Sequence, residues 1–380
     1  MMLGLLLGRA GIDVVVLEKH ADFFRDFRGD TIHPSTMQIL HELGLLNDFL
    51  KRPHTPTATM GVQIGGAFMD LADFSHLPTQ AKFIAMMPQW EFLDFIAQAA
   101  SQYPSFQLRM RTKATGFTGT GAVKANTPDG DLTIEADLVV AADGRHSTLR
   151  DAAGFHPIET GAPIDVLWLR LSRKPSDRLS SMGRIESGRF MAVLDRGDYW
   201  QCAYVIPKGG FDATRAAGLP AFRAAITSLM PLFAGRVSEL ASWDDIKLLT
   251  VAVDHLAEWS RPGLLFIGDA AHAMSPIGGV GVNLAVQDAV AAANILIPKF
   301  KTGTISAEDL RAVQTRREKP TLKTQRLQVF LQNRVISPVL ASSGPLHPPW
   351  PLRLLQWFPI LRRIPARVIG MGFQPEHIQT

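Results

Sequence analysis

The stretch GLLFIGDAAHAMSPIGGVGVNLAVQDA, residues 263–289, decides the fold of this chain. Its apolar start predicts a buried strand that brings Asp269 to the carboxyl end, where open α/β sheets place their ligands. A glycine-rich loop containing Pro276 follows, and a long apolar helix is predicted from about residue 280. The free N–H groups and positive dipole end of that helix can stabilise negative charge on a flat heteroaromatic ring. The order of strand, Asp, Pro, glycines and helix favours this site over a loop that binds nothing.

The composition around this stretch indicates a folded chain with a large core. The 380 residues predict two domains, and 46% of them are hydrophobic. A net charge of +4, with no run of like charges, gives little support for a nucleic-acid partner, and we expect none. The single cysteine, Cys202, excludes a disulfide within the chain and is typical of a reducing compartment, so we expect a cytoplasmic location.

Two earlier stretches follow the same strand-then-acid pattern. In DLVVAADGRHSTLR, residues 137–150, a buried strand precedes Asp143 and Gly144, although an ordinary strand–turn–helix junction gives the same pattern. In IDVVVLE, residues 12–18, a buried strand ends at Glu18, which suits the back half of a dinucleotide-binding unit. A plain buried strand followed by a surface glutamate remains the alternative there.

The other segments predict further regular structure. We expect antiparallel strands over residues 164–206, another strand over 246–253, and helices over 34–43, 90–100, 219–234 and 306–333. Along the chain, a strand typical of nucleotide binding is followed by a sheet and then by a second strand, loop and helix. This order implies that one domain is assembled from distant segments and that the other is inserted between them.

The stretches VVVLEK, ADGRHSTLR and GDAAHAMSPIGGVGVNLAVQDA resemble the flavin-dependent aromatic monooxygenases, the group that includes p-hydroxybenzoate hydroxylase. The resemblance implies an α/β fold: a Rossmann-like FAD-binding domain, an inserted antiparallel-sheet substrate domain and a helical C-terminal tail. We expect the FAD-binding domain at 1–60, 88–160 and 246–333, the substrate domain at 61–87 and 161–245, and the tail at 334–380.

The resemblance also implies a strand and a G-x-G-x-x-G turn ahead of the helix that begins near Met1. On this interpretation the Rossmann-like domain lacks its first strand, and we expect the true start to lie upstream. The alternative is a real truncation that binds FAD poorly. The visible absorption spectrum of the purified chain, alone and extended into the upstream reading frame, distinguishes the two.

Specific residues follow from the resemblance as well. Glu18 would bind the adenosine ribose, Arg28 would contact FAD, and Gln89 would lie near the FAD phosphates or ribose. The remaining implied cofactor-binding residues belong to the second and third motifs and are Asp143, Gly144, Gly268, Asp269, Pro276, Gly279, Gly281, Val282 and Asn283. His272 is interpreted as structural, the catalytic residues stay unknown, and no metal site is predicted.

The activity implied by the resemblance is an NAD(P)H-dependent monooxygenation. FAD is the expected cofactor, NADH or NADPH the reductant, and one atom of molecular oxygen would be inserted through a flavin hydroperoxide. Residues 60–90 and 164–206 are apolar and aromatic, which suits a hydrophobic aromatic or polycyclic small molecule. Two alternatives stay open: a flavin-dependent reductase or dehydrogenase of the same fold, and a truncated, non-catalytic protein.

The tail from residue 335 is rich in Pro, Leu, Trp and Arg. It could be a membrane-surface segment, or it could form helices that pack back on the flavin domain with their arginines reaching water. Prolines 351, 359 and 365 keep each helical piece short and favour the second interpretation. The oligomeric state cannot be predicted from the sequence.

Overall fold

The computed structural model describes residues 1–24, 31–119, 121–177 and 181–380. The helices are α1 (Met2–Arg9), α2 (Pro34–Glu42), α3 (Leu46–Phe49), α4 (Gln89–Ala100), α5 (Thr148–Ala152), α6 (Phe211–Ala216), α7 (Leu219–Leu229), α8 (Gly281–Thr302), α9 (Ala307–Leu331), α10 (Ser337–Leu340), α11 (Trp350–Trp357) and α12 (Arg363–Met371).

The strands of the first half are β1 (Val14–Leu17), β2 (Thr31–Ile32), β3 (Thr55–Thr57), β4 (Thr59–Ile64), β5 (Ala67–Asp73), β6 (Ile84–Met86), β7 (Phe106–Arg109), β8 (Lys113–Thr118), β9 (Ala122–Thr127), β10 (Gly130–Glu135) and β11 (Val139–Ala141). Those of the second half are β12 (Ile158–Glu159), β13 (Ile164–Ser172), β14 (Met182–Glu186), β15 (Arg189–Asp195), β16 (Tyr199–Pro207), β17 (Lys247–Leu249), β18 (Asp254–His255), β19 (Ser260–Arg261), β20 (Leu264–Phe266) and β21 (His272–Ala273).

The parallel strands lie around α1 and α8. Strand β1 pairs in parallel with β7, and β11 pairs in parallel with β20. Helix α1 comes very close to β1, since a Cβ on Gly4 would lie 2.7 Å from Val16 Cγ2. Leu5 and Leu6 of α1 share a buried core with α4 and with the apolar side of α8. This core supports the ends of the parallel strands, which the sequence predicts as the ligand-binding edge.

A seven-stranded sheet forms the other large unit, in the order β17-β13-β16-β15-β14-β4-β5. Its pairs are antiparallel except for β14 with β4. One face packs against α7 and buries Cys202 completely, and this burial raises the pKa of the Cys202 thiol. The other face packs against Ile277 in the glycine-rich loop and against Ile336 near the end of α9. The glycine-rich loop therefore lies beside this second face.

Two predicted elements end earlier than expected. The strand predicted over 246–253 is limited to β17, because the Asp165 carboxylate accepts the Val251 N–H at 2.9 Å and takes it out of strand pairing. The helix predicted over 219–234 ends at Leu229, and Pro231, which has no N–H to continue it, begins a 3₁₀ turn. The division into two domains stays a prediction.

Helix α8 is the most apolar long element. The segment Ile277–Thr302 is long and apolar enough to cross a membrane, but 67% of its most apolar stretch is buried inside the protein. Its burial is that of a core helix, and it positions the glycine-rich loop that leads into it.

Candidate functional site

The turn after β20 is held directly on α8. Gly268 has a φ of +59°, and its N–H donates to Asp288 Oδ2 at 3.1 Å. A Cβ at this position would lie 3.0 Å from the Cβ of Ala285. A left-handed backbone in close contact with a helix requires glycine, so the turn brings Asp269 to the end of β20 with little freedom.

The turn after β11 lies next to it, because β11 and β20 are neighbours in one sheet. Gly144 has a φ of +88°, and Asp143 Oδ2 accepts the Leu149 N–H at 3.2 Å. Ser147 is the N-cap of α5, so Asp143 adds to the capping of that helix without being its N-cap residue. Asp143 is exposed at this edge, where it can meet a ligand.

Arg150 connects these two turns. Its guanidinium donates to the Ala270 carbonyl at 3.3 Å and to the Arg145 carbonyl at 2.6 Å, and the residue is 5% exposed. The structure thereby brings the second and third sequence motifs together at one sheet edge.

The glycine-rich loop bends through two left-handed glycines, with φ of +79° at Gly278 and +62° at Gly279. Thr31 Oγ1 donates to the Gly279 carbonyl at 2.9 Å and leaves no room for a Cβ there. Helix α8 then begins at Gly281, and its first turn contains no acidic residue. Its N-cap residue, Val280, makes no side-chain hydrogen bond to the N–H groups of that turn. The N–H groups at the start of α8 therefore form a positive helix end beside a loop made mostly of backbone.

The Asn283 side chain is fully used inside the protein. Its Oδ1 accepts the His33 N–H and the Thr36 hydroxyl, each at 2.8 Å. Its Nδ2 donates to the carbonyls of Thr31 and Gly279, at 3.1 and 3.2 Å. Any contact of Asn283 with a cofactor would therefore come from its backbone N–H, while its amide fixes the loop to the segment after β2.

His33 joins this part of the structure to the C-terminal region. Its Nδ1 lies 2.7 Å from the Ile369 carbonyl and its Nε2 lies 3.2 Å from Thr31 Oγ1. Burial lowers the pKa of His33 to about 4, although the Ile369 bond acts in the opposite direction. The ring is thus neutral at neutral pH, with Nδ1–H donating to the Ile369 carbonyl, which can only accept.

Two glutamines of α9 and Gln332, the residue directly after it, hydrogen-bond to the glycine-rich loop. Gln328 accepts the Ser275 N–H at 3.1 Å and donates to the carbonyls of Ser275 and Ile277, both at 2.9 Å. Gln325 donates to the Ala273 carbonyl at 3.0 Å, and Gln332 donates to Ser275 Oγ. All three are at most 3% exposed. Sequence reasoning missed them, although their spacing of three and four residues puts them on one face of a helix.

Replacing Gln328 with methionine is expected to loosen the loop and weaken FAD binding about tenfold, because it leaves buried backbone groups unpaired at about 1–3 kcal/mol each. Gln314→Met is the matched control. Gln314, on the same helix, bonds the Trp259 N–H and the Ala257 carbonyl, each at 2.9 Å and away from the loop. Fluorescence titration of FAD onto both variants measures the difference. Equal affinities would contradict the role of Gln328 in holding the loop.

A buried charged network lies beneath the same loop. Asp288 accepts from His272 Nε2 at 2.6 Å and from Arg317 Nε at 3.0 Å, and all three residues are at most 1% exposed. Burial by itself raises the pKa of Asp288, but His272 and Arg317 outweigh it and hold the pKa below its ordinary value. Arg317 also contacts Glu376 at 3.4 Å, which joins the network to the C-terminus. His272 is thus buried and bonded to Asp288, and its interpretation as structural stays a prediction.

Pro276 begins the turn of the glycine-rich loop, and Val282 lies in the first turn of α8. The other predicted residues, Glu18, Arg28 and Gln89, belong to other segments of the sequence. Glu18 follows β1 and accepts the His20 N–H at 2.9 Å, and Gln89 is the first residue of α4. Arg28 lies outside the described residues. The cofactor-binding roles of these three residues, and of those in the two motifs, stay predictions. Within the described ranges, no group of three or more His, Cys, Asp or Glu is placed to hold a metal ion.

The residues present fit FAD. Gly144, Gly268 and Gly279 give three tight turns in which backbone can approach a ligand, two of them at the carboxyl ends of parallel strands. The uncapped start of the 22-residue α8 offers N–H groups to the part of a flavin ring that becomes negative on reduction.

Comparison with known proteins gives the same assignment. The chain matches the family described as FAD binding domain over residues 1–323. It is 32% identical over 342 residues to 6-methylpretetramide 4-monooxygenase from Streptomyces rimosus, covering 88% of this chain and 81% of that protein. It is 26% identical to para-nitrophenol 4-monooxygenase from Pseudomonas sp. strain WBC-3, covering 80% and 76% of the two chains.

A solved structure of p-nitrophenol 4-monooxygenase from Pseudomonas putida DLL-E4 has a TM-score of 0.78 at 22% identity, covering 97% of this chain and 92% of that chain. The tetrameric form of 2-methyl-3-hydroxypyridine-5-carboxylic acid oxygenase has a TM-score of 0.73 at 20% identity, covering 88% and 89%. At these identities the structures show the shared fold and no more. The sequence matches decide the family: this chain belongs to the FAD-dependent aromatic monooxygenases.

Proposed function

We propose that this FAD-dependent monooxygenase hydroxylates a hydrophobic, flat polycyclic aromatic molecule in the cytoplasm, with NADH or NADPH as reductant. The observation that carries the substrate class is a row of small side chains on the sheet face beside the glycine-rich loop. Gly183, Ala192 and Ala203 are cross-strand neighbours on three adjacent strands. Trp168 stands opposite Ala203 at one end of the row, and Val62 stands opposite Gly183 at the other.

This row forms a flat floor. Trp168, Gly183 and Ala192 are half-buried although they lie well inside a seven-stranded sheet, so the rest of the protein covers this face only in part. The Phe190 ring lies over Gly183, where an added Cβ would be 3.4 Å from it. Ile277 of the loop packs with Trp168 and Ala192 in one apolar cluster. We infer that a planar ring system binds on this face beside the loop, with its apolar surface removed from water.

FAD, when bound, supplies the activation of molecular oxygen and accepts the electrons of the reductant. The chain's own residues contribute position and electrostatics. The start of α8 stabilises negative charge, Gln328 and Thr31 hold the loop in place, and the apolar sheet face excludes water from the reacting region. The names of the relatives support an aromatic substrate, since they include 6-methylpretetramide, rifampicin and para-nitrophenol.

We expect one oxygen atom of isotopically labelled molecular oxygen to appear in the hydroxylated product of a polycyclic phenol. We also expect Ala192→Leu to reduce kcat/KM for that substrate about tenfold and for single-ring p-nitrophenol much less, because added bulk on the floor removes space that only the larger molecule needs. Mass spectrometry of the product and steady-state kinetics measure the two effects. Ala213→Leu, at an exposed position of α6, is the matched control.

Two results would count against the proposal. Turnover of the reductant without label in the product would support the reductase or dehydrogenase alternative. An equal loss for both substrates in Ala192→Leu would remove the argument from the flat floor and leave the monooxygenase activity without an assigned substrate class.

A further inference from the structure

The C-terminal helices expose a set of large apolar side chains, which we call the tail face. It consists of Trp350 (72% exposed), Trp357 (69%), Phe358 (56%), Ile360 (63%) and Ile364 (63%). All five lie within residues 350–364, at the ends of α11, at the start of α12 and in the turn between them. Single exposed apolar residues are common on protein surfaces, but five large ones in fifteen residues indicate a surface that is covered by something.

The exposed side chains of the tail face belong to helices that pack against the rest of the protein. Gln356 of α11 donates to the Asp70 carbonyl of β5 at 2.9 Å, and Leu352 packs on the apolar cluster of β4 and β5. In α12, a Cβ on Gly370 would lie 2.7 Å from Leu77, so this helix is also in close contact with the protein. The tail thus packs back on the protein through one side and directs its tryptophans outward from the other.

The C-terminal segment that carries the tail face has charges of one sign, although Asp70 and Asp73 of β5 lie beside Arg362 and Arg363. Residues 319–375 contain eight Lys and Arg residues and no Asp or Glu, although the whole chain has a net charge of only +4. The rest of the chain is therefore net negative. Arg353 lies three residues after Trp350 and four before Trp357, on the same side of α11, and Arg363 and Arg367 are exposed on α12. Exposed apolar side chains and arginines are therefore interleaved along α11 and α12.

We propose that the tail face docks on an anionic lipid bilayer. Tryptophans prefer the interface between headgroups and hydrocarbon, and arginines can reach the phosphates while their stems stay among apolar groups. Net negative charge elsewhere on the chain favours an orientation with only this face toward the lipid. A second copy of the chain is a poorer occupant, because a two-fold contact through this face would bring the same arginines against each other.

The test is sedimentation of the full chain with vesicles of phosphatidylcholine alone and of phosphatidylcholine mixed with phosphatidylglycerol. We expect binding to the anionic vesicles to weaken as salt is raised, and to fall about tenfold or more in Trp350→Ser/Trp357→Ser, since two large apolar side chains are lost. Arg353→Gln/Arg363→Gln/Arg367→Gln is expected to lose the preference for anionic vesicles. Arg362 is left intact because it pairs with Asp70 at 2.9 Å.

Ile158→Ser is the matched apolar control, since Ile158 is 51% exposed and lies far along the chain on β12. Lys113→Gln/Lys124→Gln on β8 and β9 is the matched charge control. Thermal melting monitored by circular dichroism checks that every variant folds. The proposal is overturned if the native chain stays in the supernatant with anionic vesicles, or if the tryptophan variant binds them equally. It is also overturned if the tail face proves to mediate self-association in sedimentation velocity, with no binding to lipid.

Discussion

Asp288→Asn is expected to lower the free energy of unfolding by about 3–5 kcal/mol, because it removes one partner of a buried ion pair and leaves the Arg317 charge without its closest compensation. Arg317 and Asp288 are both completely buried, so solvent cannot replace the lost interaction. The Gly268 N–H and His272 Nε2 lose a charged acceptor at the same time. Chemical denaturation followed by fluorescence measures the change.

Asp309→Asn is the matched control for this experiment. Asp309 is also an aspartate with a lowered pKa, about 2, but it forms an exposed capping box with Ser306 at the start of α9 and pairs with Lys299. We expect a much smaller change there, since exposed pairs and caps are partly replaced by water. Similar losses in the two variants would contradict the assignment of a stabilising role to the buried network.

The pH dependence of Asp288 has a definite sign. Its pKa is lowered in the folded protein, so the folded state binds its proton less readily than the unfolded chain does. The stabilisation is therefore fully present above the unfolded value, about 3.9, and is lost as the pH falls through the folded pKa. We expect the difference in unfolding free energy between the native chain and Asp288→Asn to narrow only below about pH 4.

The sequence predicted the fold of this region because the decisive signals are local. A short apolar strand, an acidic residue and a run of glycines are contiguous in residues 263–289, and their order limits the backbone to a few arrangements. The long helix was also predictable from its apolar composition. The structure confirms the predicted strand as β20, the turn at Gly268 and the long helix as α8.

The supporting contacts could not be predicted in the same way, because each joins residues far apart in the chain. Gln328 bonds a loop 51–53 residues away, and Asn283 bonds Thr31 across 252 residues. A glutamine on a charged helix is usually exposed, and nothing local shows that this one is buried. The short helices of the tail could be predicted from the sequence. The sequence did not indicate which face of these helices would remain exposed.

Residues of the glycine-rich loop differ in whether their role depends on the backbone or on the side chain. The family resemblance implies that Asn283 binds the cofactor, but its side chain is used entirely for internal hydrogen bonds. Gly279 was predicted for the same loop, and its requirement for glycine is visible in both its φ and its contact with Thr31. Mutation of Gly279 is therefore the most direct test of the loop.

Gly279→Ala is expected to abolish tight FAD binding, with an affinity loss of at least about tenfold and about 1–3 kcal/mol of lost stability. The added Cβ would lie 2.2 Å from Thr31 Oγ1, and the φ of +62° is strained for any residue with a Cβ. The loop must move away from Thr31, which breaks the hydrogen bond that holds it and shifts the backbone beside the start of α8. Fluorescence titration with FAD and the visible absorption spectrum of the purified protein measure the loss.

The Gly44→Ala variant distinguishes the effect of backbone strain from the effect of displacing the glycine-rich loop. Gly44 has a φ of +75° and nothing within 4 Å of an added Cβ, so this variant carries the backbone strain without the clash. We expect it to lose stability and keep its FAD affinity. Thr31→Ala in the Gly279→Ala background removes the clashing oxygen and should recover part of the affinity but not the strain. If Gly279→Ala bound FAD as tightly as Gly44→Ala, the loop would not be the surface that FAD contacts, and the fit of this chain to FAD would then depend on the two strand-end turns alone.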